Sequence, residues 1–317
     1  MTKKALGSTG FDIAPIVFGG NVLGWTIDDE QSFRVLDAFV DHGFDAIDTA
    51  DVYSAWVPGN SGGESEEVLG KWFAARPGMR DKVTLFTKVG MGMGDPAEKG
   101  LSERWIMDAV ERSLRRLQTD TIDLYFAHQP DANVSHEETL GAFDKLIKAG
   151  KVRSIGASNF DAEQLSAALA TSAQAGLPAY EVIEPEYNLY DRGAFDGALR
   201  ELCIEKNIGV VTYFSLASGF LSGKYRSAAD LEGRNRGRMV GKYLNERGMA
   251  ILDALDEVSA NHSATQAEVA LAWIIAQEGV TAPIASATTV NQVESFAKAA
   301  SLNLSAEEVA RLTDAGN

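Results

Sequence analysis

The chain has 317 residues, of which 45% are hydrophobic and 23% are charged, a composition that suits a globular protein with a sizeable core and excludes a disordered chain. Acidic residues outnumber basic ones, 45 to 29, and the net charge of −16 argues against binding to nucleic acid or to an anionic membrane surface. Length alone suggests two domains, but α/β barrels form one domain at this size.

Eight short apolar runs, rich in β-branched residues, are distributed along the chain. They are nearly continuous in apolar character and do not alternate with polar residues, which is typical of strands buried on both faces of a parallel sheet. In chain order the predicted strands are residues 16–19, 44–47, 83–87, 122–127, 152–157, 182–183, 210–214 and 282–285.

Apolar side chains at helical spacing predict helices between these strands. The predicted helices are residues 30–42, 102–117, 137–148, 161–170, 196–206, 250–260 and 265–277. Most strands follow one another after about 28 to 40 residues, the length of a βα unit, which favours an α/β fold: a single-domain (β/α)8 TIM barrel over residues 1–317. An open doubly wound sheet is disfavoured, because no Gly-x-Gly-x-x-Gly follows any strand.

The only cysteine, Cys203, has no partner for an internal disulfide, and the cysteine and histidine residues have no metal-ligand spacing. The N-terminal residues form no apolar signal segment, and no run approaches the roughly 18 apolar residues of a membrane helix. We therefore expect a cytoplasmic protein without a bound metal and without a membrane span.

Four titratable residues lie at or just after the ends of predicted strands two to four, namely Asp48, Tyr53, Lys88 and His128. Each alone is most often a solvated polar residue, but a barrel brings all four to one rim. We expect the ammonium to lower the pKa of the phenol, the carboxylate to keep the lysine charged, and the imidazole to orient a substrate oxygen. This set suits protonation of a carbonyl oxygen, with hydride from a nicotinamide, because no nucleophile motif is present.

The second half of the barrel offers residues for such a cofactor. Ser158 and Asn159 follow strand five and suit a carboxamide, and Tyr213 in strand seven suits stacking on a planar ring. The turn through Gly219 offers backbone N–H groups to a diphosphate. The basic loop 224–244 follows at once, and its cations suit phosphate oxygens, although a solvated loop explains them equally well.

Six stretches resemble the aldo-keto reductases in order and spacing, and together they cover nearly the whole chain. They are residues 48–53, 86–89, 128–131, 156–160, 187–192 and 216–225. The nearest branch is the bacterial one close to the general stress reductases and the potassium-channel β subunits. The resemblance implies a reversible reduction of small aldehydes or ketones. It implies that Tyr53 is the proton donor, that Lys88 and Asp48 adjust its pKa, and that His128 orients the substrate.

The resemblance also implies that NADPH or NADP⁺ lies extended across the strand ends. Its expected contacts are Gly20, Asn21, Ser158, Asn159, Glu184, Tyr213, Phe214, Ser215, Leu216, Ser218, Gly219, Lys224, Arg234, Ser286, Thr288 and Gln292. Two departures matter. Glu184 stands where the family usually has Gln, which removes an amide donor and adds a negative charge. Thr288 stands where many relatives carry Arg, so NADH stays open as a second cofactor.

Two other functions stay open at this point. One is a cofactor-binding regulatory or sensing subunit of the same fold with little turnover, as in the channel β subunits. The other is a barrel isomerase or lyase that uses Lys88 as a Schiff base. The substrate is also open: Trp25, Trp56, Met91 and Met93 either form a wide apolar pocket or pack under loops, and a homo-oligomer is an open alternative to a monomer.

Overall fold

The structure is a computed structural model, and it describes residues 1–92, 97–233 and 237–317. Within these residues, eight parallel strands close a barrel and two further strands pair as an antiparallel hairpin. In chain order the strands are β1 (Lys4–Ala5), β2 (Asp12–Ile13), β3 (Val17–Gly19), β4 (Ala46–Asp48), β5 (Thr84–Val89), β6 (Ile122–Ala127), β7 (Val152–Ser158), β8 (Val182–Glu184), β9 (Gly209–Thr212) and β10 (Ala282–Ala285).

The helices surround this barrel and cover its outer face. In the described part of the chain they are α1 (Asp29–Asp41), α2 (Glu64–Ala75), α3 (Glu103–Leu117), α4 (His136–Lys148), α5 (Ala162–Ala175), α6 (Ala198–Lys206), α7 (Gly237–Val240), α8 (Glu246–His262), α9 (Gln266–Ile275), α10 (Val290–Ser301) and α11 (Ala306–Ala315). None of the helices described is long and apolar enough to cross a membrane.

The barrel strands follow in the order β3 to β10, and β10 pairs with β3 to close the ring. The predicted (β/α)8 barrel is therefore confirmed. Two apolar cores result from the alternation of side chains along each strand. The inner core fills the barrel, where Phe86 packs edge to face on Phe126, and the outer core lies between strands and helices. The hairpin β1–β2 closes the lower end, where Leu6 and Ile13 are fully buried in the inner core.

Several helices begin where the sequence offers a capping side chain. Ser102 accepts a hydrogen bond from the backbone N–H of Trp105 at the start of α3. Asp161 and Gln164 form a reciprocal capping box at the start of α5. Helix α2 was absent from the sequence prediction, and it begins differently. Its N-cap is Gly63, which has a φ of 90° and no side-chain cap, so the usual start signal is missing.

Three boundary differences determine where functional side chains lie. Strand β5 continues to Val89, so Lys88 lies inside the strand, one residue before its end. Strand β8 includes Glu184 as its last residue. Strand β9 ends at Thr212, two residues earlier than predicted, since the backbone turns at Phe214, whose φ of 52° is left-handed.

Candidate active site

Lys88 lies at the centre of a buried polar cluster at the C-terminal end of the barrel. Its side chain has 0% exposure. The ammonium forms an ion pair with the carboxylate of Asp48, the last residue of β4. It also donates to the Thr49 carbonyl at 3.0 Å and lies 3.2 Å from the hydroxyl of Tyr53. The strand ends thus bring three of the four predicted catalytic side chains into direct contact.

The charge of Lys88 is maintained by its carboxylate neighbours. Burial acts to lower the pKa of the ammonium, but Asp48 and Glu184 raise it, and the net pKa lies above its ordinary value. A lysine that holds its proton this firmly is a poor nucleophile toward a carbonyl. This argues against the Schiff-base alternative.

The Tyr53 hydroxyl contacts both members of the ion pair, with its oxygen 3.3 Å from Asp48 Oδ2. Lys88 lowers the pKa of this phenol, as the sequence analysis expected, but the net pKa is raised and the phenol is not unusually acidic. Burial raises the pKa of Tyr53, the Asp48 carboxylate raises it further, and Lys88 offsets only part of both effects. The phenol is therefore fully protonated at neutral pH, which is the state that a proton donor requires.

His128 follows β6 and is 6% exposed, with its ring centroid 6.1 Å from that of Tyr53. Burial and then the nearby Lys88 charge hold the pKa of the imidazole well below its ordinary value, so it is neutral. Its Nδ1 is buried and has no hydrogen-bond partner among the described residues. A neutral imidazole has one donor and one acceptor nitrogen, and so it can hydrogen-bond a substrate oxygen without adding charge.

Glu184 ends β8 and approaches the same lysine from the far side of the barrel. Its Oε1 lies 3.5 Å from Lys88 Nζ and its side chain is 2% exposed. Its Oε2 is buried and has no hydrogen-bond partner within the described chain. Burial and the Asp48 carboxylate raise the pKa of Glu184 to about 8. The sequence analysis placed Glu184 near a carboxamide and missed its contact with Lys88, since β5 and β8 are not neighbouring strands.

A cleft of about 860 Å³ opens above this cluster and runs along the strand ends. Asp48, Tyr53 and His128 line it, while Lys88 lies beneath. The expected cofactor residues that line the cleft are Asn21, Ser158, Asn159, Glu184, Tyr213, Phe214, Ser215, Leu216, Ser218, Gly219, Lys224, Ser286, Thr288 and Gln292. Gly20 does not line it, because this residue packs against Asp48 and Ser65 behind the rim. Arg234 lies outside the described residues.

Asn159 connects two other residues that line the cleft, His128 and Tyr213, by hydrogen bonds. Its φ of 63° is left-handed, a conformation that asparagine tolerates better than most residues. Its amide donates to the His128 carbonyl at 2.9 Å, and its Oδ1 accepts from the Tyr213 hydroxyl at 2.7 Å. Ser158 donates to the Glu184 backbone carbonyl at 3.0 Å. These bonds hold the Tyr213 ring in one orientation against the cleft.

The turn after β9 is tightly wound, and its left-handed residues include Phe214, Ala217, Ser218 and Gly219. The N–H of Gly219 donates to the Leu216 carbonyl at 2.8 Å, and that of Ala217 donates to Phe214 at 2.7 Å. In this conformation the Gly219 N–H is therefore already bonded inside the turn, and the contact of this turn with a diphosphate stays a prediction. The side chains of the turn still line the cleft.

The far end of the cleft is polar and uncharged at several positions. Ser286 donates to Asn21 Oδ1 at 2.5 Å, which joins the loops after β10 and β3. Gln292 accepts from the backbone N–H of Thr288 at 2.7 Å, so its amide caps this loop. Lys224 is exposed at the rim. Its ammonium lies 5.1 Å from the Tyr225 ring centroid.

The other end of the cleft is apolar. Trp56 is 49% exposed and lines the cleft together with Met91. Trp25 packs edge to face on Trp56, with ring centroids 5.5 Å apart. Trp56 and Met91 therefore line the pocket, whereas Trp25 packs against Trp56. Met93 lies outside the described residues.

Among the residues that line the cleft and that the sequence analysis missed, three lie close together in the chain. They are Val22, Thr26 and Ile27. All three follow β3, the first barrel strand. Apart from Gly20, Asn21 and the open candidate Trp25, the loop after this strand supplied no predicted site residue, although the strand-end rule applies to it equally.

The sequence is similar to one known protein family and to several known proteins. A sequence model described as the aldo/keto reductase family matches residues 15–317. The uncharacterized oxidoreductase YrpG of Bacillus subtilis (strain 168) is 33% identical over 99% of this chain and 95% of its own length. The aldo-keto reductase YhdN of the same organism is 30% identical over 97% and 91% of the two chains. A probable voltage-gated potassium channel subunit beta of Arabidopsis thaliana is 29% identical over 94% and 91%. The resemblance inferred from the sequence motifs is confirmed by these matches.

Proposed function

The chain belongs to the aldo/keto reductase family, and from this premise we propose that it reduces the carbonyl group of small aldehydes or ketones to alcohols, reversibly, with NADPH. The observation that carries the proposal is the position of the Tyr53 hydroxyl, which lies in contact with the Lys88–Asp48 ion pair at the floor of the cleft. Such a group suits protonation of a carbonyl oxygen as negative charge develops on it.

The cleft fits a nicotinamide dinucleotide in size and in donor set. Its volume of about 860 Å³ is at the upper end of the range for small-molecule sites. Tyr213, held by Asn159, offers a ring face near the four predicted catalytic side chains. Hydroxyl and amide groups follow toward Ser286 and Gln292, and Lys224 at the rim offers a cation for phosphate oxygens.

The residues act on the substrate as follows. The cofactor, when bound, supplies the hydride that the carbonyl carbon receives. The Tyr53 hydroxyl gives its proton to the carbonyl oxygen, and the adjacent Lys88 ammonium stabilises the phenolate that remains. Neutral His128 hydrogen-bonds the same oxygen and fixes its direction. In the reverse direction the phenolate takes the proton from the alcohol.

The proposal also covers the cofactor preference, the kind of substrate and the location of the protein in the cell. The basic loop that begins at Lys224 favours the extra phosphate of NADPH, whereas Thr288 supplies no charge at the far end, so we propose NADPH as the main cofactor and NADH as a second one. The apolar end, with Trp56 and Met91, suits a hydrophobic substrate. A cytoplasmic location agrees with Cys203 being a buried free thiol. We also propose that residues 1–317 function as one domain.

A regulatory or sensing subunit is the second candidate, because one of the matched relatives is named as a potassium channel subunit beta. A protein that only stores cofactor has no need for His128 and Tyr53 in position above a buried ion pair. The proposed turnover is tested with a panel of aldehydes and ketones, each assayed with NADPH and with NADH. We expect turnover with several carbonyl compounds. Tight cofactor binding without turnover on the whole panel would favour the sensing subunit.

A further inference from the structure

The proposed reaction leaves one buried titratable group without a role. Glu184 directs a carboxylate into the cleft, and its Oε2 has no hydrogen-bond partner within the described chain. Lys88 already has a carboxylate partner in Asp48, and its ammonium lies 3.5 Å from Glu184 Oε1. Because a buried polar atom without a hydrogen-bond partner is costly, Glu184 Oε2 is available to a partner that the free protein does not supply.

We propose that Glu184 is a sensor of the cofactor's redox state, whose carboxylate favours the positively charged ring of NADP⁺ over the neutral ring of NADPH. This inference rests on the proposed function. In this proposal Glu184 influences the balance between alcohol oxidation and carbonyl reduction, and the role of Tyr53 is unchanged.

The geometry limits the distance between Glu184 and the reacting ring. A carbonyl oxygen protonated by Tyr53 lies at hydrogen-bond distance from that hydroxyl, and the hydride donor must touch the carbonyl carbon. Glu184 contacts Lys88 at 3.5 Å, and Lys88 contacts the Tyr53 hydroxyl at 3.2 Å. The carboxylate is therefore only two contacts away from the phenol oxygen, a range over which unit charges in a protein interior interact strongly.

The surrounding charges leave Glu184 as the surplus one. The titratable groups that face it from the neighbouring elements are Asp48, Tyr53, Lys88, His128 and Tyr213. Lys88 and Asp48 neutralise each other as an ion pair, His128 is neutral, and both phenols are protonated. Ionised Glu184 thus gives the cluster a net negative charge, which a cationic ring cancels and a neutral ring does not.

This charge also couples cofactor binding to pH. In the free protein Glu184 has a pKa of about 8. A cation beside it lowers that pKa, so binding of NADP⁺ releases a proton at pH values between the two pKa values. The affinity for NADP⁺ therefore rises with pH up to about 8 and then levels off, whereas the affinity for NADPH does not rise in this way. Because both cofactors carry the same phosphate groups, the ratio of the two affinities cancels any pH dependence that arises from phosphate binding.

The test is isothermal calorimetry of NADP⁺ and NADPH with the wild type, Glu184→Gln and Glu181→Gln, from about pH 6 to about pH 9. Glu181→Gln is the matched control, because it removes a charge of the same kind. Glu181 lies just before β8, about 10 Å from Glu184 at the opposite end of that strand. Its carboxylate accepts a hydrogen bond from Ser154. Repeating the titration in buffers of different ionisation enthalpy measures the released protons.

We expect the wild type to gain about tenfold in its preference for NADP⁺ across this pH range and to release a proton on binding it. Glu184→Gln should shift the preference about tenfold toward NADPH at the highest pH and remove the pH dependence, while Glu181→Gln should follow the wild type. Equal preferences in wild type and Glu184→Gln, with both cofactors still bound, would overturn the inference alone. If Glu184→Gln does not fold, absence of proton release by the wild type decides against it. Failure of the wild type to bind either cofactor would instead overturn the proposed function.

Discussion

At the scale of single residues, the protein concentrates its buried charge around Lys88. Asp48, Tyr53 and Glu184 all contact this one ammonium, and burial changes the pKa of every member of the group. The sequence predicted that Asp48, Tyr53 and Lys88 meet, because they lie at or after the ends of apolar strands, but it missed the contact of Glu184 with Lys88. It did not predict the direction of the Tyr53 pKa, since the cost of burial depends on the finished structure.

Replacement of Tyr53 by Phe removes the proton donor and leaves the ring in place. We expect turnover to fall by a factor of about 10² to 10⁴, the range for loss of a general acid, while the affinity for NADPH changes little. Steady-state kinetics and cofactor titration measure the two effects. The control is Tyr180→Phe, which removes a buried hydroxyl in the outer core that has no partner among the described residues. A large loss of cofactor affinity in Tyr53→Phe would contradict the assigned role.

Glu184 also gives the folded protein a distinctive dependence on pH. Its pKa is about 8 when folded, against an ordinary value of about 4.3 for an unfolded chain. Between these values the folded state holds a proton that the unfolded state has lost, so the contribution of Glu184 to stability falls as pH rises.

Glu184→Gln lacks this titration. The difference in unfolding free energy between Glu184→Gln and the wild type should therefore grow by at least about 1 kcal/mol from about pH 4 to about pH 8, and then stay constant. Urea unfolding at several pH values measures it, with Glu181→Gln as the charge-matched control. A difference that is the same at every pH would mean that the carboxyl group is not perturbed by burial.

At the scale of elements, the positions of strands follow from the sequence and the contacts between distant strands do not. Continuous apolar runs located β5 and β7 to within two residues, because strands buried on both faces carry few polar residues. Helix α2 was missed, and its N-cap Gly63 gives no side-chain start signal. The contact between Glu184 and Lys88 was missed because it crosses the barrel, and no local pattern encodes it.

Gly156 in β7 shows how closely neighbouring strands pack below the site. A Cβ atom there would lie 2.4 Å from the Phe126 ring and 3.0 Å from the Val182 carbonyl. We expect Gly156→Ala to destabilise the protein by about 1 to 3 kcal/mol, because the buried ring has to move. In contrast, a Cβ at Gly141 in α4 meets nothing within 4 Å. Gly141→Ala should be neutral or stabilise by up to about 1 kcal/mol, and urea midpoints that rank the two variants in the opposite order would refute the packing described.

At the scale of the whole molecule, the cleft connects both halves of the barrel. Its lining includes residues after β3, β4 and β6 as well as after β9 and β10. The bond between Ser286 and Asn21 joins the last barrel strand to the first at this face. A cofactor that occupies the cleft therefore contacts segments from distant parts of the chain, and its binding should stabilise the fold as a unit.

Cofactor binding at a hundredfold excess over its Kd should add about 2.7 kcal/mol to the free energy of unfolding. We expect NADPH to raise the thermal midpoint of the wild type and of Tyr53→Phe equally, because Tyr53 is assigned to proton transfer. Lys224→Ala should reduce the rise at a fixed NADPH concentration, since it removes a cation from the rim of the cleft. Scanning calorimetry measures all three. No rise in the wild type would argue against the cleft as the cofactor site.

The central claim is that Tyr53 protonates a carbonyl oxygen while hydride from NADPH reaches its carbon. The most direct measurement mixes the NADPH-loaded protein with an excess of an aldehyde and follows the absorbance of bound NADPH in a single turnover. The wild type should consume one equivalent of NADPH and form one equivalent of alcohol, while Tyr53→Phe should retain its bound NADPH over the same time. Equal rates of NADPH loss in the two proteins, or none in the wild type with any carbonyl compound, would contradict the claim.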